Sequence, residues 1–130
     1  MLQLMLATLV SLGLVLGTTA IDGDTLRADG ERYRVENIDA PERGERAECS
    51  DERALGEAAR AYVATWLAGA SAIEALPSGR RDRYGRIVAR IEVDGVDLGE
   101  RLIARGLAQP WRGRKADFCS GAPLLLPTAR

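Results

Sequence analysis

Histidine is absent from this 130-residue chain, and that absence removes every mechanism built on imidazole. Ser-His-Asp hydrolysis, His-ligated zinc and His-based nuclease chemistry are all excluded. A general base must then be a carboxylate, a lysine, a tyrosine or a cysteine. Cysteine is scarce as well: Cys49 and Cys119 are the only two, too few and too far apart for a structural zinc site. Net charge is nearly absent, at -1, which argues against a broadly basic, nucleic-acid-coating surface but allows a local basic site. Charged side chains are missing altogether from residues 1 to 21.

Within that uncharged stretch, Leu4 to Leu16 is apolar apart from Thr8, Ser11 and Gly13. Its length suits a secretory h-region better than a spanning helix of about 20 apolar residues, although no Lys or Arg precedes it. Thr18-Thr19-Ala20 reads as a small-residue cleavage site. A cut there, however, leaves Ile21 as the new terminus and removes the strand leading into Asp22. Three readings stand: a cleaved signal, an uncleaved anchor, or a first strand of the fold. Residues 1–16 are therefore set apart as signal peptide or membrane anchor, 17–119 as one folded domain, and 120–130 as a flexible tail. The expected setting is secreted or periplasmic, with membrane contact only through that leader, and the expected state is a monomer. Overall composition, 46% hydrophobic and 28% charged, is that of an ordinary globular protein whose single domain can bury one core.

The informative stretch is Ile21 to Glu42, IDGDTLRADGERYRVENIDAPE. Two acidic clusters, Asp22 with Asp24 and Asp39 with Glu42, flank a run that reads as two strands around Asp29-Gly30, a pair suited to a two-residue hairpin turn. Folding the run back sets the clusters side by side. Carboxylates so gathered repel unless a positive charge lies between them, and a hard divalent cation takes such oxygen ligands. Arg34, on the returning strand, brings a permanent cation to the same corner.

Along the chain, strands are expected at Gly17–Ile21 and Thr25–Ala28, with a bend at Asp22-Gly23-Asp24. A third runs over Glu31–Ile38, with Tyr33, Val35 and Asn37 on one face and Arg32, Arg34, Glu36 and Ile38 on the other. A helix is predicted over Ser50–Ala68, its apolar stripe at Leu55, Ala59, Tyr62 and Trp66, capped by Ser50 or Asp51 and ended by Gly69. A short strand at Ala72–Leu76, a turn at Pro77-Ser78-Gly79 and a charged loop at Arg80–Gly85 come next. Arg86–Val93 alternates as a strand buried mainly on one side, Asp94-Gly95 turns, and Leu98–Arg105 forms a short helix capped by Gly106. Five strands and two helices match a five-stranded OB-type barrel, with an open α+β sheet as the alternative.

Three motifs, IDGDTL, RVENIDAPE and DRYGRI, in that order and with a helix between the last two, resemble the thermonuclease (staphylococcal nuclease) family over roughly Thr18 to Trp111. The resemblance implies an OB-fold phosphodiesterase that binds one calcium ion and cleaves DNA and RNA to leave 3′-phosphates. On it, Asp24 and Asp39 correspond to the metal carboxylates and the backbone carbonyl of Ala40 to a further ligand. Glu42 corresponds to the general base or water-orienting group, Arg34 and Arg86 to the guanidiniums on the reacting phosphate, and Arg83 and Tyr84 to contacts with a terminal phosphate. The chain departs from the family in having Ala40 where a hydroxyl residue is common, and it has no counterpart of the family's tyrosine stacking positions or long final helix.

Each residue also has a plainer reading. Asp24 and Asp39 are ordinary turn residues in Asp-Gly-Asp and Asp-x-Pro, Glu42 a solvated loop charge, Arg34 a cross-strand ion-pair partner, and Arg86 one of several charges in a polar loop. It is the set, in order, that favours a site. Tyr62 and Trp66 are expected in the core, Trp111 in packing with base stacking as the alternative, and Arg112, Arg114 and Lys115 in a solvated stretch with phosphate tracking as the alternative. Cys49 and Cys119 are expected to form a disulfide, with two free thiols as the alternative. Two rival functions are a catalytically silent OB-fold module that binds nucleic acid or protein, and a calcium-stabilised structural domain.

Overall fold

The structure, a computed structural model, describes residues 14–120, so most of the expected leader and tail lies outside the described residues. Strands β1 (Thr19–Asp22), β2 (Thr25–Ala28) and β3 (Glu31–Val35) form an antiparallel meander. Its second turn is Asp29-Gly30, with φ of 52° and 76°, the positive values such a two-residue loop requires. The expected bend at Asp22 is a bulge in the β1–β2 register. A two-residue strand β4 (Ile38–Asp39) follows, then a 3-10 turn at Gly44–Arg46 and helix α1 (Ser50–Ala68). Strands β5 (Ile73–Arg81) and β6 (Ile87–Val93) make a hairpin, β7 (Val96–Asp97) folds back on β6, and helix α2 (Leu98–Ala104) leads to β8 (Gln109–Pro110), which pairs with β4.

The sheet order is β1-β2-β3-β6-β5, with β3 and β6 parallel. The sheet curls so that the chain ahead of β1 meets the far strand: Leu14 bridges Glu74, and the Val15 N–H donates to the Ile73 carbonyl at 3.0 Å. This is the expected OB-like, mainly β fold with two helices. The chain enters the core at Val15, two residues ahead of the expected domain edge at 17. Among the described residues no helix is long and apolar enough to cross a membrane.

Several expected element boundaries shift. Strand β3 stops at Val35 because Asn37, with φ 72°, turns the chain, and Ile38 enters the core instead of sharing a face with Arg32 and Arg34. Strand β5 runs through Pro77-Ser78-Gly79 to Arg81, its register shifting between Pro77 and Arg81. Proline is tolerated there because β5 ends the strand order. Helix α1 has the expected ends, but its N-cap is Cys49, whose Sγ accepts from the Glu52 N–H at 3.3 Å. Its buried face is Glu52, Gly56, Ala59, Val63 and Leu67, a stripe rotated from the expected one. Tyr62 and Trp66 lie at its edge in an edge-to-face pair, under the guanidiniums of Arg105 and Arg101. The larger aromatics mark the helix–helix seam, and the small residues mark the face pressed against the sheet.

Candidate active site

The Asp-Gly-Asp bend sets the first acidic cluster. Gly23 is packed so closely that a Cβ would lie 3.0 Å from the Cβ atoms of both Ala40 and Ala59, so this bend seats directly on the loop after β4. Asp24 then reaches across: its Oδ2 accepts from the Ala40 N–H at 2.9 Å, and its Oδ1 accepts from the Thr25 hydroxyl at 3.2 Å. Asp39, buried on β4, accepts the Ala116 N–H on Oδ2 at 2.6 Å. Between the two carboxylates sits the guanidinium of Arg34, with Nη2 3.6 Å from Asp24 and 3.9 Å from Asp39. These are long ion pairs, and among the described residues the guanidinium's hydrogen bond goes to the Val35 carbonyl.

Glu42 follows the buried Pro41 and is half-buried, with Arg46 at 4.0 Å as its ion-pair partner. Its peptide is held by α1 on both sides. The Glu42 N–H donates to Glu52 Oε2 at 2.9 Å, and its carbonyl lies where a Cβ on Gly56 would come within 2.3 Å, so only glycine permits that approach.

Arg86 is delivered by the β5–β6 turn. Gly85, at φ 82°, completes the turn, and Asp82 accepts from the Tyr84 and Arg86 N–H groups and from Arg86 Nε at 2.6 Å. Thr25 Oγ1 accepts from Arg86 Nη1 at 3.1 Å, which ties the hairpin to the Asp-Gly-Asp bend. The spacing in DRYGR thus serves one purpose: an Asx-type turn that aims one guanidinium inward.

All five side chains line one cleft of about 580 Å³, with Asp22, Arg27, Arg32, Tyr84 and Lys115 also on its walls. Arg83 and Tyr84 stand at the exposed hairpin tip, Arg83 Nη2 donating to the Tyr84 hydroxyl at 2.9 Å. Both line a second cleft of about 450 Å³ that shares Arg34 and Arg86 with the first and ends at Trp111. Trp111 is 48% exposed and so lies at the surface, not in the packing expected of it.

Electrostatics separate these carboxylates from others nearby. Burial raises the Asp39 pKa and the Asp24 charge adds to it, against the Ala116 N–H, Arg34 and Lys115. Burial also raises Glu42, helped by Asp24 and Asp22 and opposed by Lys115 and Arg46. Crowded, under-compensated carboxylate oxygens are what a hard cation relieves, so the chemistry of Asp24 and Asp39, which share Arg34, suits the expected calcium, with Glu42 on the same cleft as the expected base. A tighter group, Glu48, Glu52 and Cys119, does not fit a metal. Cys119 is bonded to Cys49 with Cα atoms 5.9 Å apart, as expected, and both Glu52 oxygens accept N–H donors.

Two residues that build this corner, Glu52 and Gly56, carry no expectation from the sequence, and a third, Lys115, expected in a solvated stretch, pairs with buried Glu52 at 2.7 Å on the cleft wall. Glu52 and Gly56 lie on the α1 face that a search for large apolar side chains overlooks. The signal that could have found them is their i, i+4 spacing, which continues the buried stripe of Ala59, Val63 and Leu67 back to the start of the helix.

A curled five-stranded sheet with a carboxylate and guanidinium cleft beside its hairpin end is the class that fold and site define. The family model for staphylococcal nuclease homologues matches residues 32–121, and the chain belongs to that family. It is 36% identical over 95 residues to the "Succinoglycan biosynthesis protein ExoI" of Rhizobium meliloti, covering 69% of this chain and 48% of that protein. It is 34% identical over 97 residues to "Endonuclease YncB" of Bacillus subtilis, covering 69% of this chain and 44% of the relative. The same organism's "SPbeta prophage-derived endonuclease YokF" is 34% identical over 97 residues, 31% of its length. The chain thus spans less than half the length of these relatives.

Proposed function

We propose that this domain is a calcium-dependent phosphodiesterase that hydrolyses DNA and RNA with little sequence preference and leaves 3′-phosphates. The observation that carries this reading is the convergence of Asp24, Asp39, Glu42, Arg34 and Arg86 on one cleft, in a chain with no histidine.

Arg34 and Arg86 would grip the non-bridging oxygens of the scissile phosphate, as guanidinium forks do better than point charges. Arg86 is already aimed by Asp82 and Thr25. Arg34 has donors to spare, since its contacts to Asp24 and Asp39 are long. Glu42, whose pKa is raised, accepts the proton of the attacking water. Water oxygen bonds to phosphorus, the bond to the 5′ oxygen breaks with its electron pair, and that oxygen is protonated from solvent. Asp24, Asp39 and the Ala40 carbonyl would hold the calcium, which supplies Lewis-acid relief of the phosphate charge. Arg83 and Tyr84 would meet a neighbouring terminal phosphate.

The Cys49–Cys119 bond supports a secreted or periplasmic setting, where disulfides persist. One relative's name points to polysaccharide biosynthesis, so the substrate class is put to direct test. The experiment is digestion of single- and double-stranded DNA and of RNA by the purified chain, with calcium or chelator. Cleavage that requires calcium and exceeds a Glu42→Gln control is expected. No excess over that control rejects the reading, and binding that persists in chelator without hydrolysis favours a silent binding module.

A further inference from the structure

Residues 111–119 return across the acidic corner. Trp111 N–H donates to the Asn37 carbonyl at 2.9 Å, Gly113 turns the chain at φ 82°, and Ala116 N–H reaches Asp39 Oδ2 at 2.6 Å. Lys115 Nζ donates to Glu52 Oε2 at 2.7 Å and stands on the wall of the cleft with Asp39 and Glu42. Phe118, the chain's one phenylalanine, is buried. Cys119 then closes onto Cys49, the residue just ahead of α1.

Glu52 is the hub of this arrangement. At 1% exposure it accepts the N–H groups of Glu42 and Glu48 at 2.9 Å each, together with the Lys115 ammonium. One buried carboxylate therefore joins three parts: the loop that carries Glu42, the first turn of α1, and the returning strap. Lysine has three donors, so the ammonium can face Asp39 and Glu42 while it holds Glu52.

We infer that residues 113–119 are a detachable wall of the catalytic cleft, in which Lys115 and Glu52 act as positioning residues for Glu42 and Asp39, and the Cys49–Cys119 bond makes that wall conditional on oxidation. The inference rests on the nuclease reading for its activity consequences, but its structural half stands separately. A dithiol reductant breaks the one S–S bond, leaving two thiols on the chain and a disulfide on the reductant. The described contacts that then hold the strap are the Ala116 amide, the part-exposed Lys115 pair and buried Phe118. When it lifts, Asp39 loses a donor and the cleft loses a cation.

The test compares the full chain, oxidised and dithiol-reduced, in three measurements. In calcium-dependent DNA cleavage, reduction is expected to lower kcat by about 10- to 100-fold, the usual cost of losing an outer-shell partner. In hydrogen exchange, the Ala116 and Glu42 amides are expected to lose protection while the β2–β3 and β5–β6 amides keep theirs. In the oxidised chain, Lys115→Met is expected to lower kcat at saturating calcium by a comparable factor through the loss of the Glu52 contact that holds the Glu42 loop, and Lys115→Arg to restore most of it. Unchanged protection of Ala116 and Glu42 on reduction overturns the inference, as does a Lys115→Met chain equal to the parent. Should reduction unfold the chain, the oxidised Lys115 pair of variants decides. Should the oxidised parent not cleave, the nuclease reading fails, and exchange protection with calcium-dependent tryptophan fluorescence decides the strap.

Discussion

Two groups of buried or half-buried carboxylates share a few turns of chain here, and they are treated in opposite ways. Glu52 is taken out of water and fully supplied: burial pushes its pKa up, but the Glu48 and Glu42 amides and Lys115 outweigh that and hold it below the ordinary range. Asp39 and Glu42 are also desolvated, yet they face other carboxylates and remain raised. A satisfied buried charge is architecture. An unsatisfied group of them, open to a cleft, is a place prepared for a charge that arrives.

The contrast breaks most visibly through activity. Glu42→Gln keeps the shape of the side chain and its anchored peptide but removes the proton acceptor, and kcat should fall by about 10² to 10⁴. Arg34→Ala and Arg86→Ala should each cost about 10² or more by removing charge stabilisation from the phosphate. Steady-state digestion at saturating calcium checks all three. Circular dichroism should show an unchanged fold, since none of these groups is a hub of the core.

Glu52 should behave in the reverse sense. Glu52→Gln places an amide donor among three N–H donors and should destabilise the fold by about 2 to 3 kcal/mol. That is less than for a fully buried pair, because Lys115 is 39% exposed. Urea unfolding measures it; a change within a few tenths of a kcal/mol would show that the hub carries little.

Stability against pH sharpens the same comparison. Asp39 and Glu42 have folded values above their unfolded ones, so chelated protein should lose stability as pH rises from the ordinary carboxylate range through those raised values. Glu52, lowered, contributes stability above its unfolded value and loses it as pH falls. Calcium should restore about 2.7 kcal/mol at a hundredfold excess over its Kd. Asp39→Asn should remove most of the first pH effect and most of the calcium response. Thermal melts from below the ordinary carboxylate range up to neutral pH, with and without chelator, read out both.

Much of this was legible beforehand because it lies in local chemistry. Asp29-Gly30 and Asp94-Gly95 can only be tight turns, and the ends of α1 follow from its periodicity. The convergence of Asp24 with Asp39 follows once the hairpin is drawn. What escaped depends on contacts distant in sequence. Ile38 pairs with Pro110 and not with a neighbouring strand, so the expected third strand runs too long. Glu52 is an ordinary first-turn acid until Lys115 arrives from 63 residues away. The strap shows no periodicity at all, because its order comes from Asp39, Glu52 and Cys49 and not from a face of its own.

The smallest expected effect concerns the outer wall of the cleft. Arg27 and Arg32 are exposed, stand directly opposite each other across β2 and β3, and both line the main cleft. Like charges in that register repel, and they lie one side-chain repeat, about 7 Å, from Thr25 and Arg34, which pair at the site itself. A phosphate next to the scissile one would relieve the repulsion. Arg27→Ala should then raise KM for long single strands several-fold and lower the salt slope of binding by about 1. Cleavage of a dinucleotide, which has no phosphate to place there, should be unchanged. Equal losses on both substrates would move Arg27 from the substrate path into the chemistry of the corner, and no loss on either would leave it a solvated strand residue.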